Sequence, residues 1–286
     1  MAGKLLDGKA LALSIKENLK NEIGSLKSSR KINPKLVSIQ VGENPASAMY
    51  LKSQRNNAEK LGILYSLEEL PPDTSQEGLI KTIDKLNKDK AVHGIMVQMP
   101  LPEQINAKLI SKYISPLKDV EAMHPQNMGE IVFGNAKILP CTAAACMEIL
   151  NSIDGLDLYG KEACIVGHSE IVGKPLALLL LNKFATTSVC HIATGKRGTL
   201  PDFVKKAEIL IVAVGKAGLI KGDWVKPGAI VIDVGINRVE GKTVGDVEFD
   251  KALELASYIT PVPGGVGPLT VAMLMKNLVE ACKLQG

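Results

Sequence analysis

Apolar positions in the first part of the chain recur at helical spacing and then give way to short apolar runs. Leu11, Ile15, Leu19 and further apolar residues recur every three or four positions, which predicts an amphipathic helix from about residue 8 to residue 27. The runs KLVSIQVG, GILYSLEEL and VHGIMVQMPLP then alternate with helical stretches. Strands and helices in this order predict an α/β fold, with parallel strands and helices on the faces of the sheet.

The second half of the chain repeats this alternation with longer apolar runs. The segments EACIVG, TTSVCHI, EILIVAVG and GAIVIDVG each predict a strand buried in a parallel sheet. HSEIVGKPLALLLLNK predicts a helix between the first two of these strands, and PLTVAMLMKNLVEACK predicts a C-terminal helix that packs back on the first domain. We place the domain break near ILPCTAAACMEILNS. The expected domains are residues 1–140, joined by the C-terminal helix 268–286, and residues 141–267.

Composition narrows the class of protein. The 286 residues suffice for two medium domains, and 46% hydrophobic with 22% charged residues is typical of a globular protein. A net charge of +4, spread along the chain, predicts no nucleic-acid partner. No apolar run is long enough to span a bilayer and the first residues do not resemble a secretory signal, so we expect no membrane association. The five cysteines form no CxxC pair, which indicates reduced thiols in a cytoplasmic protein and no metal site.

A glycine-rich turn follows the first strand of the second half. In IVGHSEIVGKP, Gly167 ends the strand, Ser169 follows two residues later and Gly173 opens a helix. Backbone N–H groups in such a turn can approach a pyrophosphate, which the positive end of the helix also favours. The motif departs from G-x-G-x-x-G because Ser169 replaces the second glycine. It predicts dinucleotide binding, and the alternative is a tight turn with no ligand.

The next strand ends in CHIATGKRG, at the position where this type of fold contacts the adenosine ribose. NAD-binding proteins often place an acidic residue there, and this segment has none. Lys196 and Arg197 are instead cations that suit the 2′-phosphate of NADP. The alternative is an exposed loop with two ordinary surface charges. NADP is therefore favoured over NAD, and both stay open.

A predicted helix that carries SAMYLKSQ places Tyr50 and Gln54 on one face, one turn apart. A site on that face would contain a phenol and a neutral amide. Eight segments in order, over essentially the whole chain, resemble the FolD-type methylenetetrahydrofolate dehydrogenase/methenyltetrahydrofolate cyclohydrolase family. They are VGENPASAMYLKSQ, VHGIMVQMPLP, PLKDVEAMHPQNMG, PCTAAACMEIL, GHSEIVGKP, VAVGKAGLI, VIDVGINR and TPVPGGVGPLT.

The resemblance implies two α/β domains with a cleft between them, a Rossmann-like parallel sheet for the dinucleotide, and a homodimer. It also implies oxidation of 5,10-methylenetetrahydrofolate to the 5,10-methenyl form with NAD(P)+, followed by hydrolysis to the 10-formyl form. The implied catalytic residues are Tyr50, Gln54, Gln98 and Glu121. The folate substrate is expected at Tyr50, Val97, Gln98, Met99, Glu121, Pro263, Gly264, Gly265, Val266 and Gly267. The dinucleotide is expected at Gly167, His168, Ser169, Gly173, Ile192, Lys196, Arg197 and Ile236.

Three positions depart from the family pattern. The family's Tyr-x-x-x-Lys ends here in Gln54, so its lysine is missing. Residues 118–122 read Lys-Asp-Val-Glu-Ala in place of Lys-Asp-Val-Asp-Gly, so Glu121 replaces the pterin-binding aspartate. Residues 167–169 read Gly-His-Ser in place of Gly-Arg-Ser. Lys196 or Arg197 is expected to replace the charge of that arginine.

The two reactions of the family need different groups. In the oxidation, the folate nitrogens expel a hydride and no proton moves in the main step, so positioning suffices. In the hydrolysis, water must lose a proton and a ring nitrogen must gain one, which the amide of Gln54 cannot provide. The sequence therefore predicts that the dehydrogenase is kept and the cyclohydrolase is weak or lost, unless Glu121 supplies the proton transfer. The alternatives are a fully bifunctional enzyme and a non-catalytic paralogue that binds folate and nucleotide.

Overall fold

The computed structural model of the protein describes residues 3–286, apart from the side chains of residues 45 and 46. The chain forms two compact units. One comprises residues 3–13 and 142–270, and the other comprises residues 14–141 and 271–286. Both contain a parallel sheet with helices, so the protein is an α/β protein with two domains, as the sequence predicts. Within residues 3–286, no helix is long and apolar enough to cross a membrane.

Strands and helices alternate along most of the chain. The strands are β1 (Lys4–Leu5), β2 (Lys35–Val41), β3 (Leu64–Leu70), β4 (Gly94–Val97), β5 (Glu162–Val166), β6 (Thr186–Cys190), β7 (Ile209–Val212), β8 (Ile230–Asp233), β9 (Asn237–Val239), β10 (Lys242–Val244) and β11 (Tyr258–Ile259). The helices are α1 (Gly8–Ser29), α2 (Pro45–Leu61), α3 (Gln76–Lys88), α4 (Ala107–Ile110), α5 (Pro125–Val132), α6 (Cys141–Asn151), α7 (Gly173–Leu181), α8 (Ile192–Lys196), α9 (Leu200–Lys206), α10 (Phe249–Leu255) and α11 (Val266–Gln285).

The unit of residues 14–141 and 271–286 contains a three-stranded parallel sheet in the order β3-β2-β4. The central strand β2 pairs with β3 over its whole length and with β4 over four residues. Val37 and Ile39 of β2 share a buried core with Leu79 and Ile83 of α3, so the apolar stripe of α3 covers this sheet. The Oγ of Ser75 accepts a hydrogen bond from the N–H of Gly78 at 3.1 Å, which caps the first turn of α3.

The unit of residues 3–13 and 142–270 contains a six-stranded parallel sheet in the order β1-β11-β8-β7-β5-β6. All four strands predicted from the second half of the sequence are present in it. Every residue of β7 and β8 is buried, which explains why their sequences are continuous apolar runs rather than alternating ones. Dinucleotide-binding proteins use sheets of this kind.

Two strands of this sheet were not predicted. β1 and β11 are two residues long, which is too short to produce a periodic pattern in the sequence. They pair with each other through Lys4 and Tyr258, and β11 pairs with β8. Residues 3–13 were assigned to the first domain from the sequence, but this pairing places them in the other unit because it joins segments that are distant along the chain.

The segment after β6 is also different from the prediction. No helix was predicted there, whereas Ile192–Lys196 form the short helix α8. The Nδ1 of His191 accepts a hydrogen bond from the N–H of Ala193, and the Oγ1 of Thr194 accepts one from the N–H of His191. These two bonds form a capping box built on histidine and threonine, a variant that the usual serine and glutamate pattern does not predict.

Candidate active site

The glycine-rich turn lies directly after β5 and has no room for side chains at two positions. Gly167 has a φ of 125°, and a Cβ there would lie 2.3 Å from the carbonyl oxygen of Ala213. A Cβ at Gly173 would lie 2.0 Å from the carbonyl oxygen of Gly167. The Oγ of Ser169 accepts a hydrogen bond from the N–H of Val172 at 3.2 Å, so this serine helps to close the turn. Glycine at both positions therefore lets the turn pack directly against the carbonyl groups of Ala213 and Gly167.

The turn lies at the point where the order of the strands reverses. β5 pairs with β6 on one side and with β7 on the other, and β6 and β7 follow it in sequence. Such a reversal opens a crevice outside the carboxyl ends of the strands, and this is where nucleotides bind to sheets of this type. The arrangement has the features of a dinucleotide site.

The other residues predicted to bind the dinucleotide follow the carboxyl ends of β5, β6 and β8. His168, Lys196 and Arg197 are exposed, as are Ile192 and Ile236. The ring of His168 lies 5.2 Å from the ring of His191, centroid to centroid. The residue that replaces the family's arginine is therefore packed beside the histidine that caps α8.

Two buried carboxylates at this end of the sheet were not predicted from the sequence. Asp233 ends β8 and Asp246 follows β10, and both are almost completely buried. Burial raises the pKa of Asp233 to about 6, while hydrogen bonds from backbone N–H groups act against this rise. Each carboxylate interrupts an apolar run, in VIDVG and in VGDVEF, and that interruption was the available signal.

The loop predicted to contact the folate belongs to the same unit as the dinucleotide turn. Residues 261–268 line a cavity of about 150 Å³ together with Lys9 and residues 233–236. A Cβ at Gly8 would lie 1.8 Å from the carbonyl oxygen of Gly265, so the start of α1 packs directly on this loop. Pro263, Gly264 and the residues up to Gly267 therefore line a concave surface. They are not in the same compact unit as Tyr50.

In the other unit, the middle of α2 carries the amide that replaces the family's lysine. Gln54 has no exposed surface. Its Oε1 accepts hydrogen bonds from the Oγ of Ser38 at 3.0 Å and from the Nε2 of Gln98 at 3.2 Å. Its Nε2 donates to the Sδ of Met96 at 3.2 Å. The prediction of a functional amide next to Gln98 is consistent with this geometry, and a surface position for Gln54 is excluded.

Gln98 directly follows β4 and is also buried. Its N–H donates to the carbonyl oxygen of Ile39 at 2.8 Å, so it extends the pairing of β4 with β2. Val97 is buried, while Met99 is 52% exposed and precedes a cis proline. Gln98 is therefore held by its backbone bond to β2 and by its side-chain bond to Gln54. Met99 is the accessible residue of this segment.

Glu121 lies in a tight turn that holds a second carboxylate. Its N–H donates to the Oδ1 of Asp119 at 3.3 Å. The residue is partly buried. Burial, and secondarily the negative charge of Asp119, raise the pKa of the Glu121 carboxyl to about 8. The group therefore exchanges protons close to neutral pH.

Tyr50 and Cys141 lie within electrostatic reach of this carboxyl group. Burial is the main cause of the raised pKa of the Tyr50 phenol, and Cys141 and Glu121 add to it through their negatively charged forms. Burial also raises the pKa of the Cys141 thiol, so it is protonated at neutral pH and does not act as a nucleophile. The structure thus brings together the four predicted catalytic residues of one unit, with Glu121 as the member that titrates near neutrality.

Ala122 has a φ of 56°, a left-handed conformation that costs an alanine about 1–2 kcal/mol relative to glycine. The family pattern has glycine at this position. Ala122 is fully buried, and the turn around it is held by Asp119, whose Oδ2 accepts hydrogen bonds from the N–H of His124 and from the Nδ2 of Asn127. The turn that carries Glu121 keeps the backbone shape expected for glycine, because these bonds hold it in place.

A six-stranded parallel sheet with a glycine turn at its strand reversal is typical of a dinucleotide-binding protein. The cluster of polar residues in the other unit has the features of a catalytic domain. Comparison with known protein families identifies the family to which the chain belongs. The chain belongs to the tetrahydrofolate dehydrogenase/cyclohydrolase family, because residues 6–121 match the model of its catalytic domain and residues 140–286 match its NAD(P)-binding domain.

Several relatives are similar over their full length. The bifunctional protein FolD of Acetivibrio thermocellus is 52% identical over 289 residues, which cover 100% of this chain and 99% of that protein. The bifunctional FolD methylenetetrahydrofolate dehydrogenase/cyclohydrolase of Campylobacter jejuni has a structure with a TM-score of 0.95, 47% identity and 100% coverage of both chains. The FolD enzyme of Trypanosoma brucei, solved with NADP and an inhibitor, has a TM-score of 0.93 and 38% identity over 99% of this chain and 98% of its own. The resemblance inferred from sequence is confirmed.

Proposed function

We propose that this chain catalyses both reactions of its family, oxidation of 5,10-methylenetetrahydrofolate with NAD(P)+ and hydrolysis of the methenyl product to 10-formyltetrahydrofolate. The main support for this proposal is the carboxyl group of Glu121, which lies close to Tyr50. Its pKa of about 8 lets it exchange protons near neutral pH. The names of the relatives from Acetivibrio thermocellus and Campylobacter jejuni include the word bifunctional, which supports the hydrolytic half. The sequence alone favoured a weak or lost cyclohydrolase, and these relatives support the alternative of a fully bifunctional enzyme better.

The oxidation depends on holding the folate in one orientation. When bound, NAD(P)+ accepts the hydride that leaves the methylene carbon. The residues of this chain supply position: Gln54 and Gln98 are buried and joined at 3.2 Å, so their amides present fixed hydrogen-bonding groups. Neither amide has to change its protonation state, which agrees with a step in which no proton moves.

The hydrolysis requires several proton transfers. Water adds to the cationic methenyl carbon and loses a proton; the bond from this carbon to one ring nitrogen then breaks as that nitrogen gains a proton, and the hydroxyl left on the carbon loses its proton to become the formyl oxygen, so one proton is released to solvent overall. We assign to Glu121 the removal of the first proton from water, as a carboxylate, and the protonation of the ring nitrogen, as an acid. Both forms are present near neutral pH because the pKa is about 8. Tyr50 stays protonated because its pKa is raised, so its phenol can orient ligands through hydrogen bonds.

A dehydrogenase without cyclohydrolase activity is the second candidate, and Gln54 is the observation that favours it. The amide has no titratable proton near neutrality, and the side chains of Ser38, Tyr65 and Gln98, which donate to its oxygen, are neutral as well. A lysine in this buried position would have a lowered pKa because of desolvation, and it could exchange protons near neutrality.

Two measurements on the native protein separate these candidates from each other and from a non-catalytic paralogue. Formation of reduced nicotinamide and of methenyltetrahydrofolate, followed by absorbance, tests the oxidation with NADP+ and with NAD+. Decay of added methenyltetrahydrofolate, minus its spontaneous decay, tests the hydrolysis. If the first assay gives no signal with either cofactor, the proposed dehydrogenase activity is refuted. Oxidation without catalysed decay supports the second candidate, and the Gln54→Lys variant should then restore the decay.

We propose NADP as the preferred dinucleotide. Lys196 at the end of α8 and Arg197 next to it are exposed and cationic, and the relative from Trypanosoma brucei was solved with NADP. The double variant Lys196→Ala/Arg197→Ala is expected to raise the KM for NADP+ by about tenfold or more, because two charge-assisted contacts to the 2′-phosphate are lost. The KM for NAD+ should change less than twofold.

Steady-state kinetics with both cofactors measure this shift. The matched control is Lys205→Ala/Lys206→Ala, two exposed lysines of α9 in the same unit. An equal rise in KM for NADP+ and NAD+ in the test variant would contradict recognition of the 2′-phosphate by this pair.

We further propose the domain roles and the assembly. Residues 14–140 would hold the folate together with the helix 268–286, and residues 141–267, with the segment 3–13 that joins the six-stranded sheet, would hold the dinucleotide. The family resemblance also supports a homodimer. A light-scattering mass near twice 30.5 kDa is expected for it, and a mass near 30.5 kDa would refute it.

A further inference from the structure

The loop after β7 forms one wall of the crevice at the strand reversal. β7 is the neighbour of β5 in the sheet, and the first loop residue, Ala213, lies against the glycine turn, because a Cβ at Gly167 would be 2.3 Å from the oxygen of Ala213. Val214, Gly215 and Lys216 follow and are exposed. A ligand that enters this crevice past the turn therefore meets residues 213–216.

A single buried carboxylate fixes the shape of this loop. The Oδ2 of Asp246 accepts hydrogen bonds from the N–H groups of Val214 at 2.7 Å and Gly215 at 2.9 Å, and its Oδ1 accepts one from the N–H of Lys216 at 2.8 Å. The Nδ2 of Asn237 donates to the same Oδ1 at 2.8 Å. Three successive N–H groups thus converge on one internal anion, in a concave arrangement that elsewhere in proteins binds ligand anions.

Asp246 is itself held in place by the end of the neighbouring strand. Its N–H donates to the Oδ1 of Asp233 at 3.0 Å, and the N–H of Val247 donates to the Oδ2 of Asp233 at 2.9 Å. A Cβ at Gly235 would lie 2.1 Å from the Cγ of Asp246, and a Cβ at Gly245 would lie 2.0 Å from the Oδ2 of Asp233. The two carboxylates and two glycines fit together without spare space, so the position of Asp246 is tightly determined.

We propose that Asp246 is a positioning residue for the nicotinamide half of the dinucleotide, and that it acts by fixing residues 213–216. The N–H groups of this loop are directed inward to Asp246, so the loop presents carbonyl oxygens and the side chain of Val214 to the ligand. Such groups suit ribose hydroxyls and a carboxamide rather than a phosphate. The pyrophosphate is then left to the turn of residues 167–173. This inference rests on the proposed dinucleotide-dependent function and adds a residue outside the crevice to it.

Calorimetric binding of NADP+ and of adenosine 2′,5′-bisphosphate to the full-length protein tests the proposal. The bisphosphate reports the adenosine half alone, which the fold places at the end of β6. In Asp246→Asn, an N–H group faces the loop donors in place of one carboxylate oxygen, and we expect the Kd for NADP+ to rise by about tenfold or more. The Kd for the bisphosphate should stay within about twofold, since the β6 side does not depend on Asp246. Asp250→Asn, an exposed aspartate of α10, is the matched control.

Gly215→Ala provides a second test if Asp246→Asn fails to fold. Gly215 has a φ of 72° with no atom near a Cβ, so the alanine strains the loop backbone without a clash and keeps the carboxylate. This variant should show the same selective loss of affinity for NADP+, with little change in the Kd for the bisphosphate. Equal weakening of both ligands, or no weakening of either, would overturn the proposal. Because binding is measured without turnover, a native protein that binds NADP+ but lacks activity refutes the proposed function and leaves this test intact.

Discussion

Replacing Glu121 with glutamine is expected to lower the catalysed hydrolysis of methenyltetrahydrofolate by about 100-fold or more, because proton transfer by a positioned side chain contributes a factor of this size. The amide has nearly the same shape and can still hydrogen-bond to the ligand. It cannot take a proton from water or return one to the ring nitrogen. The oxidation should stay within about tenfold of the native rate, since it depends on positioning. Decay of methenyl absorbance and formation of reduced nicotinamide measure the two rates separately.

The pH dependence of the native protein is linked to the same group. Catalysed hydrolysis, after subtraction of the spontaneous rate, should rise as Glu121 ionises around its pKa of about 8. The pKa of this carboxyl is raised from 4.5 in the unfolded chain, so the folded protein holds the proton more tightly. The neutral Glu121 carboxyl therefore contributes to the free energy of unfolding. This contribution is fully present below pH 4.5 and is lost as the pH rises through about 8.

The direction of this pH dependence distinguishes a loss of proton transfer from a loss of folding stability. Glutamine is neutral at every pH, so Glu121→Gln should be at least as stable as the native protein above pH 8 when unfolding by urea is compared. Glu69→Gln, at an exposed site on β3, is the matched control and should change neither rate. Glu121→Asp keeps a carboxyl group and should retain part of the hydrolysis. Native hydrolysis in Glu121→Gln would exclude this residue from the proton transfers.

Replacing Lys118 with methionine is expected to lower the free energy of unfolding by about 2–4 kcal/mol, a loss typical of a buried charged group with several hydrogen bonds. The Nζ of Lys118 donates to the carbonyl oxygens of Leu86 at 3.0 Å, Asn87 at 2.8 Å and Asp89 at 2.7 Å. These carbonyls lie at the end of α3, where helices favour a cation. Burial lowers the pKa of Lys118, and these three acceptors offset the cost of burying its charge.

Urea unfolding at neutral pH measures this effect. Methionine retains most of the apolar stem, so the comparison isolates the ammonium group. Lys112→Met, at an exposed position nearby, is the control and should change stability by less than about 0.5 kcal/mol. Lys118 also begins the segment that leads to Glu121, so its loss should impair hydrolysis as well. A decrease below about 1 kcal/mol would show that the three carbonyls find other partners.

The regular elements were predictable where they were long enough to produce a pattern. The helix from Gly8, the seven strands with apolar runs, and the turn at Gly167 all follow from spacing and composition. β1 and β11 were not predicted, because two-residue strands exist only through pairing with a partner that is distant in sequence. α8 was not predicted either, since its cap is formed by histidine and threonine side chains in place of the usual residues.

The candidate site was predictable as a set of residue types and not as a set of interactions. Segments that resemble the family pointed to Tyr50, Gln98 and Glu121. Asp246 was missed, because its role depends on backbone N–H groups thirty or more residues earlier in the chain. Spacing along a sequence contains no information about contacts of this kind.

The sequence by itself determined that this protein belongs to the dehydrogenase/cyclohydrolase family and that an amide stands at residue 54 where the family has lysine, because both are matters of covalent identity. Only the tertiary structure decided that Gln54 is completely buried against Ser38 and Gln98, and that Glu121 titrates near pH 8. The physical reason is that a pKa depends on desolvation and on neighbouring charges, which the folded chain brings together.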